Sequence, residues 1–543
     1  MPQLTDALTA SLPRAEWRTW LQGNSHYVRQ ILDALGANPL NAPLICEDVP
    51  TTAGSLADSV TSAAHAMRAQ GVGLDSVVAV LTNANTPATL ILRWAANLLG
   101  ATVVHLRGVN AVNPLDQLPL ELQLDILTDV RATLVAVDAD NVDRGRELCD
   151  ALKTRPLLAG LGAFGPDIVD LTAAPADAFD PETAETGDIA VVTYTSGSTG
   201  RPKGVSWSFA VKNDMVATSA ARGVPANCLV TAPLTHSSGF AADDTVITGG
   251  LVVLQSAFDA TRVLRAIGQY GITRLVLSAP QVYALTEHPA IGSTDLSTVR
   301  ELFYTGSAAS PDRIGKAVEV LGPVIMQVYG TSESGLISLL LPDDHRDPAL
   351  RATVGRPPEG VRVTIRDTED GRVLPPGEPG EVCVISRWSM ERYWNEPELT
   401  ARTVRDGWIH TGDIGHLDDA GYLHLHGRIA DVIKTNGIKV YPASVERALL
   451  DHPAVAEAAV FGVEDVDRLE RICAVIVATP GAAPDAEELR RHVGERLTPN
   501  HVPADIELRT ALPVLALGKP DRLRLRAEAR ERLAVTDAGW PVA

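Results

Sequence analysis

Residues 194–204 read Tyr-Thr-Ser-Gly-Ser-Thr-Gly-Arg-Pro-Lys-Gly, a run of small hydroxyl residues and glycines closed by Lys203. Glycine lets a backbone approach an anion closely and adopt positive φ. Backbone N–H groups, Ser and Thr hydroxyls and a lysine ammonium can together surround phosphate oxygens. The P-loop template G-x-x-x-x-G-K-[ST] is not met, because Arg201 follows Gly200 and Gly204 follows Lys203. The rival reading is a flexible Ser/Gly linker. Three later segments also carry chemistry-bearing side chains: Gln327-Val-Tyr-Gly-Thr-Ser-Glu333; Trp408-Ile-His-Thr-Gly-Asp413, continuing to Gly427-Arg428; and Leu512-Pro-Val-Leu-Ala-Leu-Gly-Lys519-Pro-Asp-Arg522. Singly, these read as a helix N-cap with an acidic first turn, a tight turn, and a loop with a solvated lysine.

The elements that must position these side chains alternate along the chain. The apolar run 188–194 predicts a strand entering the glycine-rich loop. Helical spacing over 56–71 and 86–99 alternates with β-rich runs at 77–82, 100–105, 132–137 and 274–278. That rhythm argues for α/β layers with largely parallel sheets. From about residue 354 the texture changes: 361–366 and 380–385 alternate apolar and polar around a Pro/Gly turn, as in an antiparallel, barrel-like piece. After Gly427-Arg428 comes a compact α+β stretch of about 115 residues, long enough for a small domain.

Composition narrows the class. At 543 residues the chain exceeds one ordinary core. Its 67 acidic and 47 basic residues give a formal charge of −20, a surface that repels nucleic acid and anionic lipid. Five scattered cysteines without a C-x-x-C pair argue against a disulfide framework or structural zinc and for a reducing compartment. The N-terminus lacks a basic-then-apolar leader, and no apolar run reaches the ~18 residues of a spanning helix. The expected location is cytoplasmic, with neither nucleic acid nor membrane as partner.

The four segments, in this order, closely resemble the adenylate-forming superfamily of acyl-CoA synthetases, nonribosomal adenylation domains and luciferases, over about residues 30–525. The resemblance implies a large N-terminal domain, 1–427, with a barrel-like subregion at 353–427, and a small mobile C-terminal domain, 428–543, carrying the catalytic lysine. It implies that ATP and a carboxylic acid give an acyl- or aryl-adenylate and pyrophosphate, followed by transfer to a thiol, with CoA expected. Thr195, Ser196, Gly197, Ser198, Thr199, Gly200 and Lys203 match the loop that holds the β- and γ-phosphates. Glu333 matches the Mg²⁺ carboxylate, Thr331 the hydroxyl on the α-phosphate, and Tyr329 the ring beside adenine. Asp413 matches the acceptor for the ribose hydroxyls and Arg428 the arginine contacting ribose at the domain junction. Lys519 matches the lysine bridging carboxylate and α-phosphate, where a compact cation stabilises developing charge. His236 falls where the family lines its acyl pocket, together with Gly306, Ser307 and Gly335.

The chain also departs from the family pattern. The hinge position, often Asp or Lys, is Ala430; hinges absorb φ/ψ change and need not be polar. Gly437 matches the glycine of the loop lining the pantetheine tunnel. Amino-acid-activating members carry Phe-Asp-x-Ser, whereas this chain has Phe240-Ala-Ala-Asp-Asp244, which disfavours an α-amino acid. Asp243 and Asp244 have two readings, a surface helix start, which is favoured, and a carboxylate facing the pocket. Expected pocket walls are residues 279–283, 304–309 and 335–336, suited to an aryl, cinnamoyl-like or medium aliphatic acid. Alternatives to CoA are a carrier protein or an amine as acceptor, or ATP-driven nitrite activation that diazotises an aryl amine. A silent adenylate-binding regulatory protein is the non-enzyme alternative.

Overall fold

The computed structural model describes residues 26–107, 118–183, 185–195, 202–306, 309–435, 438–464, 470–479, 481–513 and 520–535. Two eight-stranded sheets dominate. The first runs Arg392–Tyr393, Lys203–Ser208, Ile189–Thr195, Thr102–His105, Val77–Leu81, Leu134–Val137, Leu157–Gly160, Val169–Asp170. Its inner strands are parallel, and Val77–Leu81 is buried on both faces, as its unbroken aliphatic run requires. At one edge, Ile189–Thr195 and Lys203–Ser208 form an antiparallel hairpin that brings Thr195 opposite Lys203. The second sheet runs Gly335–Leu340, Ile325–Thr331, Glu301–Thr305, Arg274–Ser278, Asn227–Val230, Leu251–Leu254, Leu44–Cys46, Val49–Thr51.

Helices Tyr27–Ala37, Ala53–Ala69, Pro87–Leu98 and Ser237–Ile247 fill the space between these sheets. Their apolar faces share one core with Val78 and Val103 of the first sheet and Val230 and Val252 of the second. Burying that much aliphatic surface is the dominant favourable term for this part of the molecule.

The expected change of texture is present. Val361–Arg366, Gly380–Ser386, Trp408–Leu417 and Leu423–Arg428 form an antiparallel sheet, extended by Val404–Arg405. The C-terminal α+β unit has its own core around Val460, Ala474, Ile476, Leu489 and Val493, on the sheet Val455–Glu464, Glu470–Ala478, Asp505–Arg509. Among the described residues, no helix is long and apolar enough to cross a membrane.

Two local expectations give way. The Thr411-Gly412-Asp413 segment is not a turn but lies inside the ten-residue strand Trp408–Leu417. The Tyr329–Glu333 segment is not a helix start: Ile325–Thr331 is a strand that turns back antiparallel into Gly335–Leu340. In both cases sheet pairing overrides a local preference for turn and cap residues.

Candidate active site

Lys203 and Glu333 come from different sheets and meet through a third segment. Lys203 opens the return strand of the hairpin, and its Nζ lies 5.7 Å from the ring centre of Tyr393. Tyr393 Oη donates to Glu333 Oε1 at 2.7 Å. Burial first, then the Glu333 carboxylate, raise the Tyr393 pKa far above that of free phenol, so the hydroxyl remains a proton donor. Glu333 sits in the turn after Thr331, where the Ser334 N–H donates to Thr331 Oγ1 at 3.1 Å and the two hydroxyls share a bond of 2.9 Å. Gly335 ends that turn at φ +66°, and a Cβ there would lie 2.6 Å from the Trp388 carbonyl oxygen.

Asp413 and Arg428 are direct cross-strand partners in the antiparallel sheet. Arg428 Nε reaches Asp413 Oδ1 at 2.7 Å, and Tyr329 Oη donates to Asp413 Oδ2 at 2.6 Å. Burial, then Asp413, push the Tyr329 pKa well up, so it too stays a neutral donor. The backbone here is aimed by its neighbours. The Gly412 N–H donates to Glu381 Oε1 at 3.2 Å, the Thr411 hydroxyl to the Val382 carbonyl at 2.8 Å, and the Asp413 N–H to Thr411 Oγ1 at 3.0 Å. Gly412 takes φ +72° within the strand, a conformation few other residues tolerate.

The predicted acyl side is more enclosed. His236 caps the helix Ser237–Ile247, and its Nδ1 lies 3.2 Å from Thr235 Oγ1. A small cleft beside Thr235 is lined by Thr82, Asn83, Asn85, His105 and Arg107. Gly306 ends the strand Glu301–Thr305 with φ +92°. Tyr304, expected as a pocket wall, is fully buried, and its hydroxyl donates to Gln327 Oε1 at 3.1 Å. It therefore packs inside the core of the second sheet. Asp243 and Asp244 are likewise not a surface helix start. Both are buried mid-helix: Asp243 meets Arg93 and Lys212, and Asp244 meets Arg222 and Arg274.

Ser196, Gly197, Ser198, Thr199, Gly200, Ser307, Gly437 and Lys519 lie outside the described residues. Ala430 lies in the exposed single turn Ile429–Asp431, directly after Arg428. Of the named site residues that are described, Lys203 and Glu333 are joined through Tyr393, and Tyr329, Asp413 and Arg428 form a second set whose arginine feels the Glu333 charge, whereas His236 stands apart at the start of the helix Ser237–Ile247. Tyr393 was missed. The stretch Met390-Glu-Arg-Tyr-Trp-Asn matches none of the four segments, and the signal it offers is the aromatic pair Tyr393-Trp394.

The donors present suit a magnesium nucleotide. Glu333 offers a carboxylate already oriented at one oxygen, next to a lysine, and Mg²⁺ is commonly held by one or two carboxylates plus phosphates. Asp413 offers an acidic acceptor fixed on two sides, as binding of paired hydroxyls needs.

Comparison with known proteins agrees with the motifs. Residues 33–394 match the family described as AMP-binding enzyme, and residues 444–519 match the AMP-binding enzyme C-terminal domain. The chain belongs to this adenylate-forming family and is an AMP-forming ligase. It is 31% identical to a medium/long-chain fatty-acid–CoA ligase of Mycobacterium tuberculosis, over 93% of this chain and 90% of the relative. It is 33% identical to a feruloyl-CoA synthase of an Amycolatopsis species, over 89% and 94%. Among solved structures, the amide bond synthetase McbA of Marinactinospora thermotolerans superposes with a TM-score of 0.84 at 35% identity, covering 93% of this chain and 99% of that one.

Proposed function

We propose that the chain adenylates a carboxylic acid with Mg²⁺-ATP, releases pyrophosphate, and passes the acyl group to the thiol of CoA. The observation that carries the reading is the juxtaposition of two sets drawn from three sheets, Lys203 with Glu333 through Tyr393 and Asp413 with Arg428, the Glu333 carboxylate acting on the Arg428 charge. Acid and triphosphate repel, so attack at the α-phosphate needs charge neutralisation and alignment. Lys203 and the loop 195–200 would hold the leaving pyrophosphate, and Thr331 the α-phosphate. Glu333 would hold the magnesium ion, which when bound neutralises phosphate charge. Asp413 and Arg428 would fix the ribose and Tyr329 the adenine. Lys519, on a C-terminal domain of residues 428–543 that turns about Ala430, would bridge acid and phosphate and then withdraw. His236 and Gly306 would line the acyl pocket, and Gly437 the path of the pantetheine arm.

The likeness to an amide bond synthetase supports a second reading, in which the acceptor is an amine rather than a thiol. ATP–pyrophosphate exchange over a panel of carboxylic acids, aryl amines and nitrite tests the first half-reaction. Exchange should require an acid; exchange with nitrite alone would overturn the carboxylate reading. AMP release that rises with CoA, and not with amines, separates the two acceptors. Lys519→Ala should lower exchange by several powers of ten while ATP binding persists.

A further inference from the structure

We propose that Tyr393 is a positioning residue of the adenylation site, orienting the Glu333 carboxylate toward the metal and supporting the Lys203 ammonium on its ring. This rests on the roles proposed above for Glu333 and Lys203. The problem it solves is structural. Lys203 belongs to the edge hairpin of the first sheet, and Glu333 to a turn at the edge of the second. One short segment holds the two together.

The Met390 N–H donates to the Glu333 carbonyl at 2.7 Å. A few residues on, the N–H groups of Glu391 and Trp394 donate to the carbonyls of Ser206 and Gly204, at 2.8 and 2.7 Å. Arg392 and Tyr393 thereby pair antiparallel with Ser206 and Val205, extending the first sheet by one strand. The Tyr393 N–H is anchored to Thr400 Oγ1 at 3.0 Å, and the side chain is only 3% exposed. From this fixed base the ring approaches Lys203 while the hydroxyl reaches Glu333 Oε1. A rigid aromatic thus sets the relation between the cation for the leaving group and the anion for the metal. Its hydroxyl occupies one carboxylate oxygen and leaves the other for the ion.

The test is calorimetric titration of ATP into the full-length protein, with MnCl₂ and in EDTA, for the wild type, Tyr393→Phe, Glu333→Gln and the double variant. Glu333→Gln should abolish most of the affinity gain that manganese confers. Tyr393→Phe should lose about tenfold of that gain, with binding in EDTA unchanged, since it removes a single hydrogen bond to a charged group. In the Glu333→Gln background, Tyr393→Phe should have no further effect. Tyr393→Leu, which removes the ring as well, should also weaken ATP binding in EDTA several-fold. A Tyr393→Phe protein with wild-type manganese dependence overturns the inference. A Glu333→Gln protein with undiminished manganese dependence overturns the metal reading instead. Urea midpoints of each variant separate both outcomes from a general loss of folding.

Discussion

Asp243 and Asp413 are both buried aspartates facing a guanidinium, yet their surroundings assign them different work. Asp243 is fully buried and saturated. Arg93 and Lys212 pair with it, the latter at 3.1 Å, and Trp94 Nε1 donates at 3.0 Å. Lys212 in turn lies 5.4 Å from the Tyr27 ring centre, so the cluster is closed on every side by packed groups. Asp413 is 7% exposed, but its guanidinium partner, Arg428, lies at a sheet edge with half its side chain in solvent. The first arrangement pins three helices, Pro87–Leu98, Phe209–Arg222 and Ser237–Ile247, together. The second presents a carboxylate to whatever enters between the antiparallel sheet and the second sheet. Burial alone does not mark a site; the openness of the partners does.

The largest effect should come from breaking the closed cluster. Asp243→Ala leaves Arg93 and Lys212 buried together without an anion, which typically costs about 3–5 kcal/mol. The expected result in urea denaturation is a large fall in the midpoint or failure to accumulate as folded protein. An unchanged midpoint would mean that Asp243 is not structural, and the contrast with Asp413 would collapse. A variant that removes the whole cluster, with Arg93 and Lys212 replaced by apolar residues as well, should recover much of the loss.

How much of this was legible differs between the two regions. The parallel sheets, the change to antiparallel pairing after residue 354 and the C-terminal α+β unit follow from hydrophobic period, which sets strand and helix faces directly. Lys203, Glu333 and Asp413 could be singled out because their motifs are local, each in a short run of small and charged residues. Asp243 was misread as a helix start because its partners, Arg93 and Lys212, lie far away in sequence on other helices. Tyr393 was missed for the same reason, since its meaning resides in Glu333 and Lys203 and not in its neighbours. Long-range ion pairs and hydrogen bonds leave no periodic trace in a single sequence.

A middle-sized effect should appear with pH, and again on the closed side. His105 is buried next to the same cations. Burial, followed by Arg93, His236 and Lys212, lowers its pKa from 6.5 to about 3. The folded protein therefore keeps His105 neutral while the unfolded chain takes up a proton near pH 6.5. The unfolded state binds more protons in that window, so this stability is complete above about pH 6.5 and is lost as pH falls toward 3. Between pH 7 and 5 the loss should be on the order of 2 kcal/mol. His26, lowered to about 4 mainly by burial, adds to the same slope. His105→Gln should flatten the dependence relative to wild type, whatever its effect on absolute stability. Parallel slopes for the two proteins would show that the cations do not hold His105 neutral.

The smallest effect on folding should fall on the open side, and there it should appear as binding. Asp413→Ala removes an acceptor held by Arg428, half of whose side chain is in solvent, and by Tyr329, whose buried hydroxyl loses this partner. Its unfolding free energy should fall by about 1–2 kcal/mol, less than for Asp243→Ala, because the ion pair is partly exposed and the stranded donor is neutral. If the carboxylate receives ribose hydroxyls, KM for ATP in pyrophosphate exchange should rise about 10- to 100-fold, the usual loss for hydrogen bonds to a charged acceptor. Asp413→Asn keeps one oxygen acceptor and should lose less. The discriminating ligand is 2′,3′-dideoxy-ATP: wild type should bind it as poorly as Asp413→Ala binds ATP, and the variant should no longer distinguish the two nucleotides. A variant that is strongly destabilised yet still discriminates would move Asp413 into the company of Asp243, as a residue that holds the fold rather than the substrate.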